Sequence, residues 1–201
     1  MHHLRSSIRI PALVVAAIAA CLALTSVAAL AATQPSPSPA EASHRNTPDP
    51  SIEANMGQSE KQNLQTVLTA LQAVFTEHRA DQIDQFFTED FVQHSPLVPP
   101  ENAGREGLRQ WLTGIVAAIP DLAYLPAPDQ QMADGDRVLV VAQVQGTIQG
   151  DLPLYGIKGS GQKLDVSTSH IFRLEHGKIA EHWEVVDTGP LVRLAVASQA
   201  S

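Results

Sequence analysis

The sequence predicts an α+β domain in which three helices come first and a curved, mostly antiparallel sheet follows. Two observations predict it. Apolar residues recur at helical spacing up to Pro120, and the remainder is strand-like, with period-two segments set between glycine-bearing turns such as Ala133-Asp-Gly-Asp136 and Glu175-His-Gly177. Helices grouped ahead of strands, rather than alternating with them, are the pattern of α+β architecture.

The chain opens on an address. Arg5 and Arg9 precede an apolar run from about Leu13 to Leu24, and small residues follow, ending Ala29-Leu-Ala31. This is the pattern of a secretory signal peptide over residues 1–31, cleaved after Ala31 or Ala32. A membrane anchor from Ile10 to Ala32 is the alternative, and Pro11, Thr25, Ser26 and the Ala-x-Ala pattern argue against it. Ile18-Ala-Ala-Cys21 loosely resembles a bacterial lipobox, but the largely apolar stretch Leu22 to Leu30 is unlike the start of a lipoprotein. The expectation is an exported protein, periplasmic or secreted, with no stable membrane association after processing. Cys21 is the only cysteine, so the processed chain has neither a disulfide nor a thiol nucleophile.

Residues 32–57 are rich in Pro, Ser, Ala, Asn and Glu and nearly devoid of large apolar side chains, which predicts a disordered linker. Residues 58–197 then form one domain. Removing residues 1–31 takes away Arg5 and Arg9, two of the 13 basic residues, and none of the 21 acids, so the net charge becomes 11 − 21 = −10 with His neutral. No basic stripe or aromatic platform remains to hold phosphates and bases, which argues against nucleic-acid binding.

Within the domain, Ser59 and Gln62 suggest a capping box. Leu64, Val67, Leu68, Leu71, Val74 and Phe75 then predict one amphipathic helix to about His78. Asp81 begins a short second helix with Ile83, Phe86 and Phe87, and Glu89 to His94 reads as a strand entering the proline-rich loop Ser95 to Asn102. A third helix starts near Arg105, carries Leu108, Trp111, Leu112, Ile115, Val116 and Ile119, and stops at Pro120. Strand-like segments follow at Leu122–Leu125, Gln130–Ala133, Arg137–Ile148, Leu164–Arg173 and Lys178–Asp187. A long twisted sheet with helices on one face curls into a cone with an enclosed pocket at its open end.

The last hairpin carries the chemistry. Read as a three-residue loop, Glu175-His176-Gly177 pairs Leu174 with Lys178, Phe172 with Ala180, His170 with His182 and Thr168 with Glu184. Period-two alternation then puts these side chains on one face. A two-residue loop, His176-Gly177, is the alternative and is expected to separate His170 from Glu184.

Several segments resemble the SnoaL-like polyketide cyclase branch of the NTF2-like superfamily. They are Phe91-Val-Gln-His94-Ser-Pro96, Gly104-Arg-Glu-Gly107-Leu108, Ile171-Phe-Arg-Leu-Glu-His-Gly177-Lys-Ile179 and Glu181-His-Trp183-Glu-Val-Val-Asp187. The resemblance covers the whole domain and implies the NTF2-like cone. It further implies acid/base catalysis with no metal and no organic cofactor. In such cyclases an aspartate on the last strand removes a proton beside a carbonyl, and the enolate closes a ring.

Glu184, after Trp183, stands where that aspartate is expected, and His170 matches the histidine of the preceding strand as the group that donates to the enolate or returns the proton. Glutamate for aspartate is a departure that moves the carboxylate outward by about 1.5 Å. His94, Thr168, His182 and Phe172 complete the expected substrate-binding set, with Thr168 bonding a substrate oxygen and His94 facing the same pocket. The implied ligand is a small, apolar carbonyl compound undergoing aldol-type cyclisation or isomerisation, and a hydrolase would use the same pocket with water as the attacking group. Export argues against simple transfer of an intracellular cyclisation.

Three other readings stay open at this point. The hairpin residues also suit a polar ladder, a noncatalytic module binding a small molecule or protein, or a metal site of His170, His182 and Glu184. Trp183, Val185 and Ile171 fall on the opposite face, where they suit the contact of a homodimer. Arg105 is a candidate for the pocket mouth, and Asp187 for a turn or ion pair.

Overall fold

The computed structural model describes residues 47–95 and 98–199. The expected signal peptide with Cys21, the linker up to residue 46, and Pro96 of the first-strand motif lie outside these residues. Among those described, no helix is long and apolar enough to cross a membrane.

Helix α1 (Pro50–Glu53) is a single turn whose first amides need a partner. The Asp49 carboxylate supplies one, accepting the Ser51 N–H at 2.8 Å. The Asp49 N–H in turn donates to the Pro128 carbonyl at 3.1 Å, which holds this segment against the sheet.

Helix α2 (Gln58–Ala70) starts one residue before the expected capping box. Its actual tie is Glu60, whose carboxylate accepts the Gly57 N–H at 2.6 Å and the Gly135 N–H at 3.1 Å. The start of the helix is thereby pinned to the hairpin turn at Gly135. The helix continues as a π-helical segment, Leu71–Thr76, instead of running on regularly to His78. Its wider turn brings Thr76 Oγ1 to 3.1 Å from both the amide and the carbonyl of Tyr124. This contact locks the end of the helix onto the first residues of the sheet. A 3₁₀ turn (Ala80–Gln82) leads into α3 (Ile83–Phe86), and α4 (Arg105–Ala118) follows the loop after the first strand.

The five strands are β1 (Phe87–His94), β2 (Ala123–Asp134), β3 (Arg137–Ile148), β4 (Gln162–Glu175) and β5 (Lys178–Val186). They form one sheet in the order β1-β5-β4-β3-β2. Only β1, on the edge beside β5, runs parallel to its neighbour, so the sheet is mostly antiparallel as expected.

The two segments expected at Leu122–Leu125 and Gln130–Ala133 are joined in a single strand whose register breaks between Pro126 and Gln131. Pro126 and Pro128 have no N–H to give to a ladder, and the break falls where they stand. Helix α5 (Gly189–Gln199), which the sequence reading did not anticipate, packs back on β4.

The core fills the concave face. Leu64, Val67 and Leu68 of α2 and Leu71 and Val74 of its π-helical continuation share one core cluster with Val138, Val140 and Val144 of β3, all buried. Burial of each such side chain contributes about 1.5–3 kcal/mol. Alternation along β3 is strict, with Val138, Val140, Ala142, Val144, Gly146 and Ile148 inside and the intervening residues outside.

The β4–β5 hairpin corrects the expected register. Its loop is the two-residue turn His176-Gly177, with φ of +50° and +76°. Positive φ at both central positions matches the right-handed twist of the flanking strands, and glycine takes it without strain. Glu175 therefore pairs with Lys178 and Leu174 with Ile179. Left alone, this turn would swap the faces of β5. A β-bulge restores them, because Arg173 pairs with Glu181 and Ala180 is the extra residue. The pairs beyond it are Phe172 with His182, His170 with Glu184 and Thr168 with Val186. The expected residues share the inner face, but β5 has slid by two positions relative to the anticipated pairing, about 7 Å along the strand.

Candidate active site

Two adjacent strands supply the polar centre. The Thr168 hydroxyl donates to the Ala142 carbonyl at 3.1 Å. His170 Nε2 lies 2.8 Å from the Thr168 oxygen, and His170 Nδ1 lies 3.0 Å from His182 Nε2. All three side chains are buried, His170 to 2% exposure. Phe172 stacks on His182 with ring centres 4.6 Å apart, and Tyr124 closes over His170 at 5.8 Å.

Burial disfavours the imidazolium form and pushes His170 down to about 4. Burial also carries His182 well below the usual histidine value, helped by the neighbouring His170 and His94. Both rings are neutral near pH 7. With one ring nitrogen turned to Thr168 and the other to His182, His170 has no N–H left for a substrate. The role expected for it, donation to an enolate, therefore has no free group to perform it. Thr168 is likewise engaged with Ala142 and His170.

Glu184 stands across from His170 on β5 and is half-buried. Its Oε1 accepts from Gln93 Nε2 at 3.3 Å. Burial pushes the carboxyl up, and hydrogen bonds from Gln93 and Ser95 oppose this only in part. The result is a carboxylate whose charge is poorly solvated. The phenols of Tyr124 and Tyr155 both feel its charge, which adds to burial in raising them.

The inner chamber is small, about 20 Å³, and is lined by Glu184, Gln93, His170, His182 and Tyr124 among apolar side chains such as Phe91 and Phe172. Such a volume has room for about one water molecule. A groove of about 300 Å³ lies against the same wall, sharing Gln93, Leu108 and Trp111 and adding the amides of Asn102 and Gln110. In place of one enclosed pocket there is thus a narrow chamber beside a wider groove.

His94 does not belong to this site. It lies on the outer face, with Nε2 2.6 Å from Glu181 Oε2 and its ring stacked 4.5 Å from Trp183. Gln93 takes the inner position, and the sequence held the signal for it, since alternation from the core residue Phe91 leads to Gln93 rather than His94. Tyr124 was also missed. It sits in a run with Leu125 and Pro126, all buried, that shows no alternation.

Trp183, Val185 and Ile171 face outward as expected, with Arg137 lying 5.4 Å over the Trp183 ring. Arg105 is paired with Asp84 at 3.0 Å and does not line the chamber. Asp187 accepts the Gly189 N–H at 3.0 Å, a turn contact that starts α5.

His170, His182 and Glu184 also present one donor atom each within 4.8 Å of one another. Zinc-bound donors sit about 2.0–2.2 Å from the metal. A cation here would have to displace the proton shared by the two imidazoles and draw Glu184 inward.

The sequence model of the SnoaL-like polyketide cyclase family matches residues 65–193, and the chain belongs to this family. Solved structures share its NTF2-like fold. A candidate SnoaL-like polyketide cyclase from Jannaschia sp. CCS1 is 24% identical, with a TM-score of 0.60 over 73% of this chain and 98% of the other. TsrD from Streptomyces laurentii is 24% identical, with a TM-score of 0.58 over 71% and 99%. AclR from Streptomyces galilaeus, a candidate hydroxylase, is 26% identical, with a TM-score of 0.58 over 68% and 98%. No curated protein matches the chain.

Proposed function

We propose that the protein is an exported enzyme performing acid/base chemistry on a small, largely apolar carbonyl compound, with Glu184 as the base. The observation that carries this reading is the half-buried Glu184 carboxylate, raised toward neutrality at the edge of a chamber whose histidines are both neutral. A base tuned toward the working pH is the one suited to removing a proton from carbon.

In this scheme the body of the substrate occupies the groove and its reacting end enters the chamber. Glu184 takes the proton beside the carbonyl, and the C–H electron pair moves into the enolate. The Tyr124 hydroxyl makes no hydrogen bond among the described residues and lines the chamber, so it is available to the enolate oxygen. The enolate carbon then attacks a second carbonyl to close a ring, the C=O π pair moving to oxygen as an alkoxide that takes the proton back from Glu184, or Glu184 returns that proton to a different carbon to give an isomer. His170 and Thr168 hold His182 in place, and His170 lines the chamber with its ring while both of its nitrogens are engaged.

The test is exchange of the α-hydrogens of cyclohexanone for deuterium in D₂O, followed by proton NMR. Wild-type protein is expected to accelerate exchange, and Glu184→Gln to lose about two to four orders of magnitude of that acceleration while remaining folded. Equal rates in the two proteins would end the proposal and leave a noncatalytic binding module.

The convergence of His170, His182 and Glu184 favours one second reading, a metal-dependent enzyme. One zinc or iron per chain in protein from its own host, lost in His182→Ala, would establish it over the first.

A further inference from the structure

We propose that Thr168 is a positioning residue that fixes which nitrogens of His170 and His182 carry protons, so that His182 meets a ligand with a bare lone pair at Nδ1. The inference concerns the site assigned above and rests on the acid/base reading only for the use made of that lone pair.

The direction of the chain follows from its end. A backbone carbonyl has no proton, so the contact between Thr168 Oγ1 and the Ala142 oxygen is a hydrogen bond only if the threonine hydroxyl points along it. That hydroxyl has one proton. Toward His170 its oxygen can then only accept, and the 2.8 Å contact requires the hydrogen on His170 Nε2. A neutral imidazole carries one N–H, which leaves His170 Nδ1 bare. The 3.0 Å contact with His182 therefore requires the hydrogen on His182 Nε2, and the same rule leaves His182 Nδ1 bare. Doubly protonated rings would break this order, and burial of both opposes them. His182 Nδ1 makes no hydrogen bond among the described residues, and the ring lines the chamber.

A group that meets His182 must consequently be a donor. A carbonyl oxygen would face it lone pair to lone pair, whereas a hydroxyl, or the O–H of an enol, would be bound. Tyr124, Gln93 and Trp111 bring N–H or O–H donors to the chamber lining, and Glu184 and His182 bring acceptors. This division suits a carbonyl compound that also carries a hydroxyl or an enolised second carbonyl, with the two oxygens sorted between the two sides.

The test is long-range ¹H–¹⁵N correlation NMR on protein labelled at histidine nitrogen, which reports a bare or protonated state for each ring nitrogen. In wild type both rings are expected to be neutral, with hydrogen on Nε2 only. Thr168→Ser keeps the hydroxyl and should keep the pattern. Thr168→Val removes the acceptor for His170 Nε2–H, and a buried donor without a partner is costly. His170 should then move its hydrogen to Nδ1 and donate to His182 Nε2, which forces the His182 hydrogen to Nδ1, so both rings reverse together.

Hydrogen on His170 Nδ1 in wild type, or an unchanged pattern in folded Thr168→Val, would overturn the proposal. If the valine variant does not fold, the wild-type and serine spectra still decide it. Glu184→Gln should leave the pattern intact. Its loss of α-hydrogen exchange tests the base, while the tautomers test Thr168, so the two ideas fail separately.

Discussion

Glu181 and Glu184 stand three residues apart on one strand and are pushed in opposite directions. Glu181, on the outer face, is held low first by Arg173 and then by His94, both hydrogen-bonded to it. Glu184, on the inner face, is pushed up by burial. Their histidine neighbours divide in the same way, since His94 stacks on Trp183 beside a carboxylate while His182 is enclosed with another imidazole and Phe172. The pleat of the strand therefore separates two kinds of electrostatics within a few ångströms. Outside, charges are paired in water and each contact contributes little. Inside, desolvation dominates and leaves one strained carboxylate among neutral rings.

The largest effect expected from this contrast is on stability in acid. His170 is held at about 4 in the folded chain against 6.5 when free, so the unfolded state takes up its proton first as pH falls. Its contribution is complete above about pH 6.5 and is lost progressively toward about pH 4, amounting to about 3 kcal/mol, with His182 acting in the same sense. Urea unfolding across that window should show the fall, and His170→Gln should reduce its slope. A flat profile would mean that the inner face is wetter than its burial implies.

Next in size is the reach of the base. Glu184→Asp withdraws the carboxylate by about 1.5 Å and should cost about two orders of magnitude in α-hydrogen exchange if the longer side chain is matched to its substrate. Glu181→Asp should leave the rate within about twofold, since its ion pairs lie on the far side of the sheet. Aspartate at 184 with full activity would show that the extra methylene has no role.

The smallest effect is thermal. A carboxyl raised by folding opposes the folded state above its unfolded value, so removing its charge should stabilise. Glu184→Gln should melt higher than wild type near pH 8, and the gap should close as pH falls and the glutamate takes up its proton. Glu181→Gln should melt slightly lower under the same conditions, because it gives up contacts that hold its carboxyl low.

The fold was largely legible in the sequence. Val138 to Ile148 alternates without interruption, and β3 carries the bounds its pattern implies. Leu64, Val67, Leu68 and Leu71 mark the buried stripe of α2 and its π-helical continuation. What was not legible depends on pairing at a distance. The π-helical segment at Leu71–Thr76 is recognisable only through its contact with Tyr124, and no local preference marks Ala180 as a bulge. Helix α5 had a signal that went unread, since Pro190 directly after Gly189 suits a first turn. At the site, Glu184 and the face it shares with His170 and His182 could be read from alternation. The hydrogen-bond partners of His170 and Thr168 could not, because they depend on which atom each one touches.

The bulge at Ala180 gives the hairpin one residue more than its ladder requires. In most two-stranded ribbons a one-residue deletion turns a strand over and exchanges its inside for its outside. Here, loss of Ala180 would leave Leu174 opposite Ile179, Arg173 opposite Glu181, Phe172 opposite His182 and His170 opposite Glu184 in a regular ladder. The centre is thereby buffered against a change in chain length that would otherwise scatter it. A lineage carrying this spare residue can lose it and keep His182 and Glu184 facing inward.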